Sequence, residues 1–412
     1  MNPLCAQAAF PKTSSETFDR LALRSVREQS PAPPAPSVPQ AEAVRGTALL
    51  ITGATGFLGG AIMAKIIFSD DWDSALFLVR AATPEAGVER LAENLRNFGL
   101  GETSIQRLKP SQVICGDLAD VPSFADDVRL GLVDVVINCA AVASFAKHPL
   151  IWPVNTVGTV AFAQAVHRHG RLRRFLQVGT AMAVGPRAEN PIYETFETAE
   201  DVKHLVDYTA SKLEGERMLR GIPGLPLIVA RPSIIVGHTQ LGCRASGSIY
   251  WVFRMGLKMG AFTCDFDERI DVIPVDYAAE ALQMLALKSM LKHELYHISA
   301  GPEAACSFRE IDIAIAPALD RPPIVEYRKL DYEGFSAMQM EFKDIFGPCN
   351  RRLMLRAIKL YGAFAGLGML FDNQRLLAEG MSQPPRFDDY AYLCEDSSRG
   401  ISIPEQMVTD FK

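Results

Sequence analysis

The sequence lacks several patterns that would assign it to particular classes of protein. No uncharged apolar run reaches the roughly 18 residues that a membrane span requires, and the longest one near the C-terminus covers only residues 360–371. Basic residues are not in excess, because 42 Lys and Arg stand against 48 Asp and Glu, for a net charge of −6. We therefore expect neither a membrane-spanning protein nor a general nucleic-acid binder.

Cysteine patterns are missing as well. The eight cysteines include no C-x-x-C pair and no Cys/His cluster with zinc spacing, so we expect no disulfide scaffold and no metal site. They are typical of buried thiols in a reducing, cytoplasmic compartment. The N-terminal segment lacks the apolar core of a signal peptide, because Lys12, Glu16 and Asp19 interrupt it.

The chain changes character near residue 47. Residues 30–39 read SPAPPAPSVP, which favours extended polyproline conformations, and we expect residues 1–46 to form a disordered leader. Beyond them, apolar strand patterns alternate with helical ones. Strands are predicted at 47–52, 75–79, 113–115, 133–137, 174–178 and 227–230, and helices at 57–68, 84–98, 155–167 and 204–220. This alternation predicts an α/β fold with a Rossmann-type doubly wound parallel sheet.

The alternation ends near residue 237, and apolar helical segments then dominate. We assign residues 47–237 to a dinucleotide-binding domain to which 271–300 returns. Residues 238–270 and 301–412 are assigned to a mainly helical, substrate-binding C-terminal region. The mean hydropathy of +0.08 is high for a chain with 22% charged residues, and an apolar substrate pocket would account for it. The apolar segment 248–262 could line such a pocket, although core packing explains most apolar helices.

A glycine-rich turn follows the first predicted strand. Residues 52–59 read TGATGFLG, with Gly53, Gly56 and Gly59 between a strand and a helix. In a dinucleotide site, the first glycine allows a tight turn, the second lets a pyrophosphate approach the backbone, and the third lets helix and strand pack closely. The helix N-terminus then offers free N–H groups to the phosphates. We therefore predict a dinucleotide cofactor here.

The end of the second strand bears on which cofactor is bound. An NAD-binding protein of this type carries an acid about 20 residues after the glycines, but this chain has Arg80 there. Arginine can accept a 2′-phosphate through a charge-assisted fork, so NADP(H) is favoured over NAD. A solvated strand-end arginine is the alternative. Asp117 and the small residues Ala140 and Ala141 follow later strands, where ligands bind in open α/β sheets.

The catalytic candidates are Tyr208 and Lys212. Four residues apart on a predicted helix, they share one face, and no other tyrosine has a lysine four residues later. A neighbouring ammonium is expected to lower the pKa of Tyr208, which could then exchange a proton with a carbonyl oxygen. Thr180, at the end of the fifth strand, could hold that oxygen. The alternative is an exposed helix pair without a catalytic role.

In this order, the motifs resemble those of the extended short-chain dehydrogenase/reductase superfamily. The resemblance covers residues 47–300 and rests on TGATGFLG (52–59), GDL (116–118), NCAA (138–141), YTASK (208–212) and RPSIIVG (231–237). With DVIPVDYAAEA (271–281), the chain looks most like the thioester-reductase and fatty-acyl reductase branch. The resemblance implies Thr180, Tyr208 and Lys212 as the catalytic trio. It also implies cofactor contacts at Thr52, Gly53, Thr55, Gly56, Phe57, Leu58, Gly59, Arg80, Asp117, Leu118, Ala140, Ala141, Lys212, Pro232 and Ser233.

That branch uses NADPH to reduce an acyl group on coenzyme A or on a carrier protein to an aldehyde, sometimes on to an alcohol. The sequence has no carrier attachment motif, so we expect any carrier to be supplied in trans. Peripheral membrane contact is not favoured. One alternative is another enzyme of the superfamily that acts on a small carbonyl, an alcohol or a nucleotide sugar. A second is a non-catalytic NADP-binding protein.

Overall fold

The structure is a computed structural model that describes residues 47–187, 189–198 and 202–410. The predicted leader at residues 1–46 lies outside the described residues. Seven parallel strands form the central sheet. They are β1 (Leu49–Thr52), β2 (Leu76–Val79), β3 (Val113–Cys115), β4 (Val135–Asn138), β5 (Arg174–Val178), β6 (Leu227–Pro232) and β7 (Leu295–Ile298).

The strand order across the sheet is β7-β6-β5-β4-β1-β2-β3, and every pairing is parallel. The order reverses between β1 and β4, which is the point where ligands bind in doubly wound sheets. The fold class predicted from the sequence is therefore confirmed. All strands end at one edge, so the turn after β1 and the segments after β4 and β5 border the same crevice.

Helices cover both faces of the sheet and continue beyond it. Those of eight or more residues are α1 (Phe57–Ile66), α2 (Pro84–Asn97), α3 (Thr159–His167), α4 (Asp207–Arg220), α5 (Tyr250–Met259), α6 (Val275–Leu287), α7 (Phe308–Ile315), α8 (Arg351–Ala365), α9 (Phe387–Ser397) and α10 (Ile403–Asp410). Shorter α-helices span Glu102–Ile105, Gly301–Ala304, Tyr332–Met338, Phe342–Phe346 and Gln374–Ala378. Three small two-stranded sheets pair Ile234–Ile235 with Val272–Ile273, Arg269–Ile270 with Cys306–Ser307, and Ala261–Phe262 with Arg328–Lys329.

The predicted helix at 155–167 begins differently in the structure. Pro153–Gly158 forms a π-helical segment, and the regular helix α3 starts only at Thr159. This segment contains Gly158, where a Cβ atom would stand 1.8 Å from the carbonyl oxygen of Leu118. Glycine at this position lets the chain pass close to the turn after β3.

The apolar segments of the C-terminal region are mostly core. Helix α5, within the predicted apolar segment 248–262, buries eight of its ten residues, and those that belong to a hydrophobic cluster include Trp251, Phe253 and Met255. This segment therefore gives no support for an apolar substrate, contrary to one interpretation of the sequence. No helix among the described residues is both long and apolar enough to cross a bilayer.

The apolar run at 360–371 divides into two parts. Helix α8 ends at Ala365, and Phe371 is extended and forms a bridge with Ile192. The Ser299 hydroxyl donates to the Phe371 carbonyl, and Asn373 Nδ2 donates to the Ser299 carbonyl, 3.0 Å in each case. The C-terminal chain thereby returns to the carboxyl end of β7.

Candidate active site

The glycine-rich turn has the geometry that a pyrophosphate requires. Gly53 has a φ of +72°, which favours glycine, and a Cβ there would lie 2.8 Å from the Ala140 nitrogen. A Cβ on Gly59 would lie 2.3 Å from the Gly53 carbonyl oxygen. Helix α1 begins directly after Gly56, with no described side chain capping it and no acidic residue in its first turn. Its first N–H groups therefore remain available to an anion, and the turn fits a dinucleotide.

Asn94 holds this turn in place, a role that the sequence analysis did not predict. Its Nδ2 donates to the carbonyls of Ala54 and Gly56, at 2.8 and 3.0 Å. The side chain comes from α2 and occupies the space above Gly60, where a Cβ would collide with it. An asparagine on the otherwise apolar inward face of this helix was the available signal, because a buried polar group needs a partner.

Thr52 braces the turn from inside the sheet. Its fully buried hydroxyl donates to Asn138 Oδ1 at 2.6 Å and accepts from the Ala140 N–H at 3.0 Å. Asn138 Nδ2 in turn donates to Gln177 Oε1 at 2.8 Å. Side-chain hydrogen bonds thus join the ends of β1, β4 and β5. Thr52 positions the backbone that borders the site, at Ala140. Its predicted direct contact with the cofactor stays a prediction.

Other predicted cofactor residues lie at the same edge. Arg80 is exposed directly after β2, and the Arg90 guanidinium donates to its carbonyl. Two arginines therefore occupy the strand end where an NAD site would place an acid. Asp117 accepts from the Ala119 N–H at 2.9 Å, whereas the Leu118 side chain is buried in the core.

The remaining predicted contacts divide between open and buried positions. Ala140 and Ala141 are half-buried beyond β4, as are Thr55, Phe57 and Leu58 around the glycine turn. Pro232 and Ser233 are buried at the end of β6, where the Ser233 N–H donates to the Ile298 carbonyl at 2.9 Å. The segment after β6 is thus anchored to β7.

Helix α4 places Tyr208 and Lys212 at the end of β5. Lys212 is buried, and its Nζ donates to the Val178 carbonyl at 2.7 Å. Thr180 follows two residues later and accepts from the Met182 N–H at 3.4 Å. Because an amide N–H occupies one lone pair of the Thr180 oxygen, its hydroxyl proton is available to a substrate oxygen.

The pKa of Tyr208 departs from the sequence prediction. The ammonium of Lys212 was expected to lower it, but burial raises the pKa of Tyr208 to about 12, and the carboxylate of Glu216 adds to this effect. The prediction was wrong because Lys212 Nζ is directed to the Val178 carbonyl, and because the tyrosine ring packs against Phe145, 6.2 Å between ring centroids. Tyr208 is therefore a protonated phenol at neutral pH, the state that a proton donor needs.

Burial also lowers the pKa of Lys212 to about 8, while Glu216 and Cys139 oppose the change. Burial disfavours the protonated form of Lys212, because a charged ammonium loses hydration in a buried site. Cys139 lies near it at the end of β4, and burial raises the pKa of that thiol to about 12. A thiol so far from ionisation is not an activated nucleophile.

A buried ion pair supports the catalytic helix. Tyr208, Lys212 and Glu216 recur at intervals of four residues, so they lie on one face of α4. The Glu216 carboxylate accepts from Arg231 of β6 at 2.7 and 3.0 Å, with both side chains at most 2% exposed. Gly179, just before Thr180, leaves room for this carboxylate, since a Cβ there would lie 2.2 Å from Glu216 Oε1.

Asn155 links the π-helical segment to the same helix. Its Oδ1 accepts from the Val142 N–H at 2.8 Å, and its Nδ2 donates to the Ser211 hydroxyl at 3.0 Å. Ser211 donates in turn to the Tyr208 carbonyl at 2.8 Å. Asn155 therefore fixes the chain after β4 relative to the helix that carries Tyr208.

A family model described as male sterility protein, of the NAD-binding type, matches residues 51–282, more than half of the chain. The chain belongs to this family. The matched span includes the glycine-rich turn, Thr180, Tyr208 and Lys212. Membership in the male sterility protein family confirms the resemblance to the extended short-chain dehydrogenase/reductase superfamily and its thioester-reductase branch.

Curated relatives of this family member are much longer proteins. Aldehyde reductase lnaA of Aspergillus flavus is 27% identical over 283 residues, which cover 64% of the chain and 27% of the relative. The non-canonical nonribosomal peptide synthetase FrzA of a Cladobotryum species is 25% identical over 310 residues, 68% of the chain and 29% of the relative. The chain thus spans less than a third of the length of these relatives.

Solved structures share the fold of the chain. The terminal reductase domain of the myxalamid biosynthetic pathway superposes with a TM-score of 0.69 at 19% identity, covering 87% of the chain and 91% of that domain. The reductase domain of a Mycobacterium tuberculosis nonribosomal peptide synthetase gives a TM-score of 0.59 at 23% identity, covering 90% and 92%. An NAD-bound dTDP-glucose 4,6-dehydratase from Bacillus anthracis gives 0.57 at 15%, covering 86% and 97%.

Proposed function

We propose that the protein is an NADPH-dependent reductase of acyl thioesters, with Tyr208 as the general acid. The observation that carries the proposal is the arrangement at the end of β5. There helix α4 holds Tyr208 and a buried Lys212 next to the strand end that bears Thr180. The glycine-rich cradle borders the same crevice. A hydride acceptor bound there would meet two hydroxyl donors in a partly water-free site.

The protein residues would act on the carbonyl oxygen of the thioester. NADPH held on the glycine-rich turn would supply the hydride. Tyr208, protonated because its pKa is raised to about 12, donates its proton as the oxygen gains negative charge, and Thr180 donates a second hydrogen bond. The resulting hemithioacetal collapses to an aldehyde and a free thiol. A second reduction of the aldehyde would give an alcohol.

Arg80 and Arg90 support NADPH over NADH. Arg80 directly follows β2, where the ribose of the adenosine half binds in this type of fold, and the guanidinium of Arg90 on α2 donates to the Arg80 carbonyl. Two guanidinium groups favour a 2′-phosphate, while an NAD site needs a carboxylate for the 2′-hydroxyl.

We propose coenzyme A or a carrier protein supplied in trans as the thiol that bears the acyl group. Relatives named as peptide synthetases and their reductase domains support this choice. Two basic residues, Arg171 and Arg174, are not part of this proposed site, because they lie at the amino end of β5, opposite Thr180. There Arg171 pairs with Asp134 at 3.0 Å, and Arg174 donates to the Leu285 carbonyl at 2.8 Å.

The test is NADPH oxidation with a panel of acyl-coenzyme A and acyl-carrier thioesters, aldehydes, ketones and sugar nucleotides, with products identified by mass. We expect thioesters to give aldehyde and free thiol. Tyr208→Phe should lose at least a hundredfold in rate, whereas Tyr392→Phe, a change of an exposed tyrosine on α9, should retain it. Turnover of sugar nucleotides or ketones alone would favour the wider superfamily. NADPH binding without turnover of any compound would favour a non-catalytic binder.

A further inference from the structure

No hydrogen bond within the described part of the chain holds the phenolic hydroxyl of Tyr208. The neighbouring Lys212 ammonium donates instead to the Val178 carbonyl at 2.7 Å. The backbone of Tyr208 is fixed on α4, where its carbonyl accepts from the Ser211 hydroxyl at 2.8 Å. A tyrosine side chain can still rotate about its first two bonds, so the direction of the hydroxyl depends on what the ring packs against.

The ring of Tyr208 packs against Phe145, in the segment that follows β4. The two ring centroids lie 6.2 Å apart, and the ring planes are inclined by 31°. Aromatic rings attract one another at this separation. Tyr208 contacts no second aromatic ring among the described residues, so Phe145 alone supplies this packing.

The backbone around Phe145 is itself anchored. Asn155 binds both backbone groups of Val142, accepting from its N–H at 2.8 Å and donating to its carbonyl at 3.1 Å. The Ser144 hydroxyl donates to the Ala146 carbonyl at 3.2 Å, across the position of Phe145. The segment that carries Phe145 is therefore fixed to the asparagine that also reaches helix α4.

Helix α8 of the C-terminal region supplies the other contacts of the Phe145 ring. The centroid of Tyr361 lies 4.9 Å away with the planes at 19°, and that of Phe364, one turn later, lies 4.7 Å away at 35°. Trp251 of α5 packs edge-on against Tyr361, 4.9 Å between centroids. Two rings of α8 thus lie closer to Phe145 than Tyr208 does, so the packing of this region fixes the position of the Phe145 ring.

We propose that Phe145 is a positioning residue that transmits the packing of α8 to Tyr208 and keeps the phenol directed at the reacting carbonyl. The inference rests on the proposed thioester reductase function, in which Tyr208 donates the proton. It gives the C-terminal region a part in catalysis that needs no polar group from α8. A displacement of about 1 Å in a reacting group can cost about 100-fold in rate, so loss of the Phe145 ring should lower kcat by about 10- to 100-fold.

The first experiment measures kcat and KM with NADPH and an acyl-coenzyme A thioester. Phe145→Leu keeps an apolar side chain at a half-buried position but removes the ring, and it should lower kcat while KM for NADPH stays nearly unchanged. Phe145→Tyr keeps the ring and should restore most of the rate. Phe266→Leu is the matched control, because Phe266 stacks on a tyrosine outside the candidate site, Tyr327, 4.4 Å between centroids. It should leave kcat unchanged.

Phe364→Leu approaches the same ring from α8 and leaves the residue beside Tyr208 unaltered. It should lower kcat in the same direction as Phe145→Leu, by a smaller factor. A loss in Phe145→Tyr as large as that in Phe145→Leu would show that the ring is not what matters. A comparable loss in Phe266→Leu would show that any lost aromatic stack has this effect, and either result would overturn the inference.

A titration of Tyr208 distinguishes failure of this inference from failure of the proposed reaction. NMR of protein labelled with carbon-13 in its tyrosine rings follows ionisation of the phenol without substrate, and Tyr208→Phe assigns the signal. Burial raises the pKa of Tyr208 to about 12. Phe145→Leu should bring this pKa closer to the value of about 10 for an exposed tyrosine, and Phe266→Leu should not change it.

The two readouts together decide the outcome. A lowered pKa of Tyr208 in Phe145→Leu, in a protein that reduces no thioester, would support the packing role and refute the proposed reaction. An unchanged pKa together with an unchanged kcat in Phe145→Leu would refute the role of Phe145.

Discussion

Replacing Glu216 by Gln would remove the carboxylate from the buried pair behind the catalytic helix. Arg231 is fully buried, and its other hydrogen bond goes to the Thr195 carbonyl at 3.0 Å. The guanidinium would therefore keep its charge and lose its only carboxylate partner among the described residues. Removing one member of a buried ion pair typically costs about 3–5 kcal/mol. At about 2.1 cal/mol/K per residue, this corresponds to a Tm lower by about 4–6 °C for a chain of 412 residues.

The same substitution should alter the pH dependence of catalysis. The Lys212 ammonium is charged below about pH 8, and Glu216 raises its pKa. Without the carboxylate, the pKa of Lys212 falls, so the decline of kcat/KM on the alkaline side should move to lower pH. If the pKa falls by one unit, the charged fraction at pH 8 drops from about one half to about one tenth, a loss of about fivefold.

Two measurements separate the structural effect from the electrostatic one. The double variant Glu216→Leu with Arg231→Met removes both charges, and should recover much of the lost stability, since replacing both partners of a buried pair is often neutral. It should nevertheless keep the displaced pH profile, because Lys212 still lacks its carboxylate. A Glu216→Gln protein with unchanged Tm and an unchanged alkaline limb would refute this account of the pair.

Three further predictions follow from the site. Arg80→Ala should raise KM for NADPH about tenfold or more and leave KM for NADH nearly unchanged, because only NADPH carries the 2′-phosphate; equal effects on both would reject its role. Gly59→Ala should weaken NADPH binding in a fluorescence titration, because the new Cβ would meet the Gly53 carbonyl at 2.3 Å; unchanged affinity would argue against the cradle. Burial and Asp372 raise the pKa of the Glu194 carboxyl to about 8. The stabilisation that this raised pKa gives to the folded state is therefore complete below the usual pKa of a glutamate and is lost as the pH rises through 8. Tm should therefore fall from about pH 5 to pH 8, less so in Glu194→Gln; equal slopes would contradict this.

Local patterns were sufficient to predict the first half of the fold. Strands β3 and β5 have the predicted bounds, and the glycine turn lies between β1 and α1 as predicted. In a parallel sheet buried on both faces, each strand is a short apolar run, and each turn has its own chemistry. Residue type and spacing made Tyr208 and Lys212 candidates, and the family resemblance implied the trio with Thr180.

Features that depend on contacts between distant segments could not be predicted from local patterns. Strand β7 was not predicted, because its partner β6 lies more than 60 residues earlier and its own four residues, LYHI, include a histidine. The direction of the pKa shift of Tyr208 depends on burial and on the packing of Phe145, which spacing on one helix does not reveal.

The most direct test of the central claim follows one deuterium atom. NADPH labelled with deuterium at the transferred position is supplied with an acyl-coenzyme A thioester, and the products are analysed by mass and by thiol titration. The account predicts an aldehyde, or the alcohol derived from it, that carries the deuterium on its former thioester carbon, one free thiol for each acyl group reduced, and loss of both products in Tyr208→Phe. NADPH consumption without label in the acyl product, or full labelling by Tyr208→Phe, would contradict it.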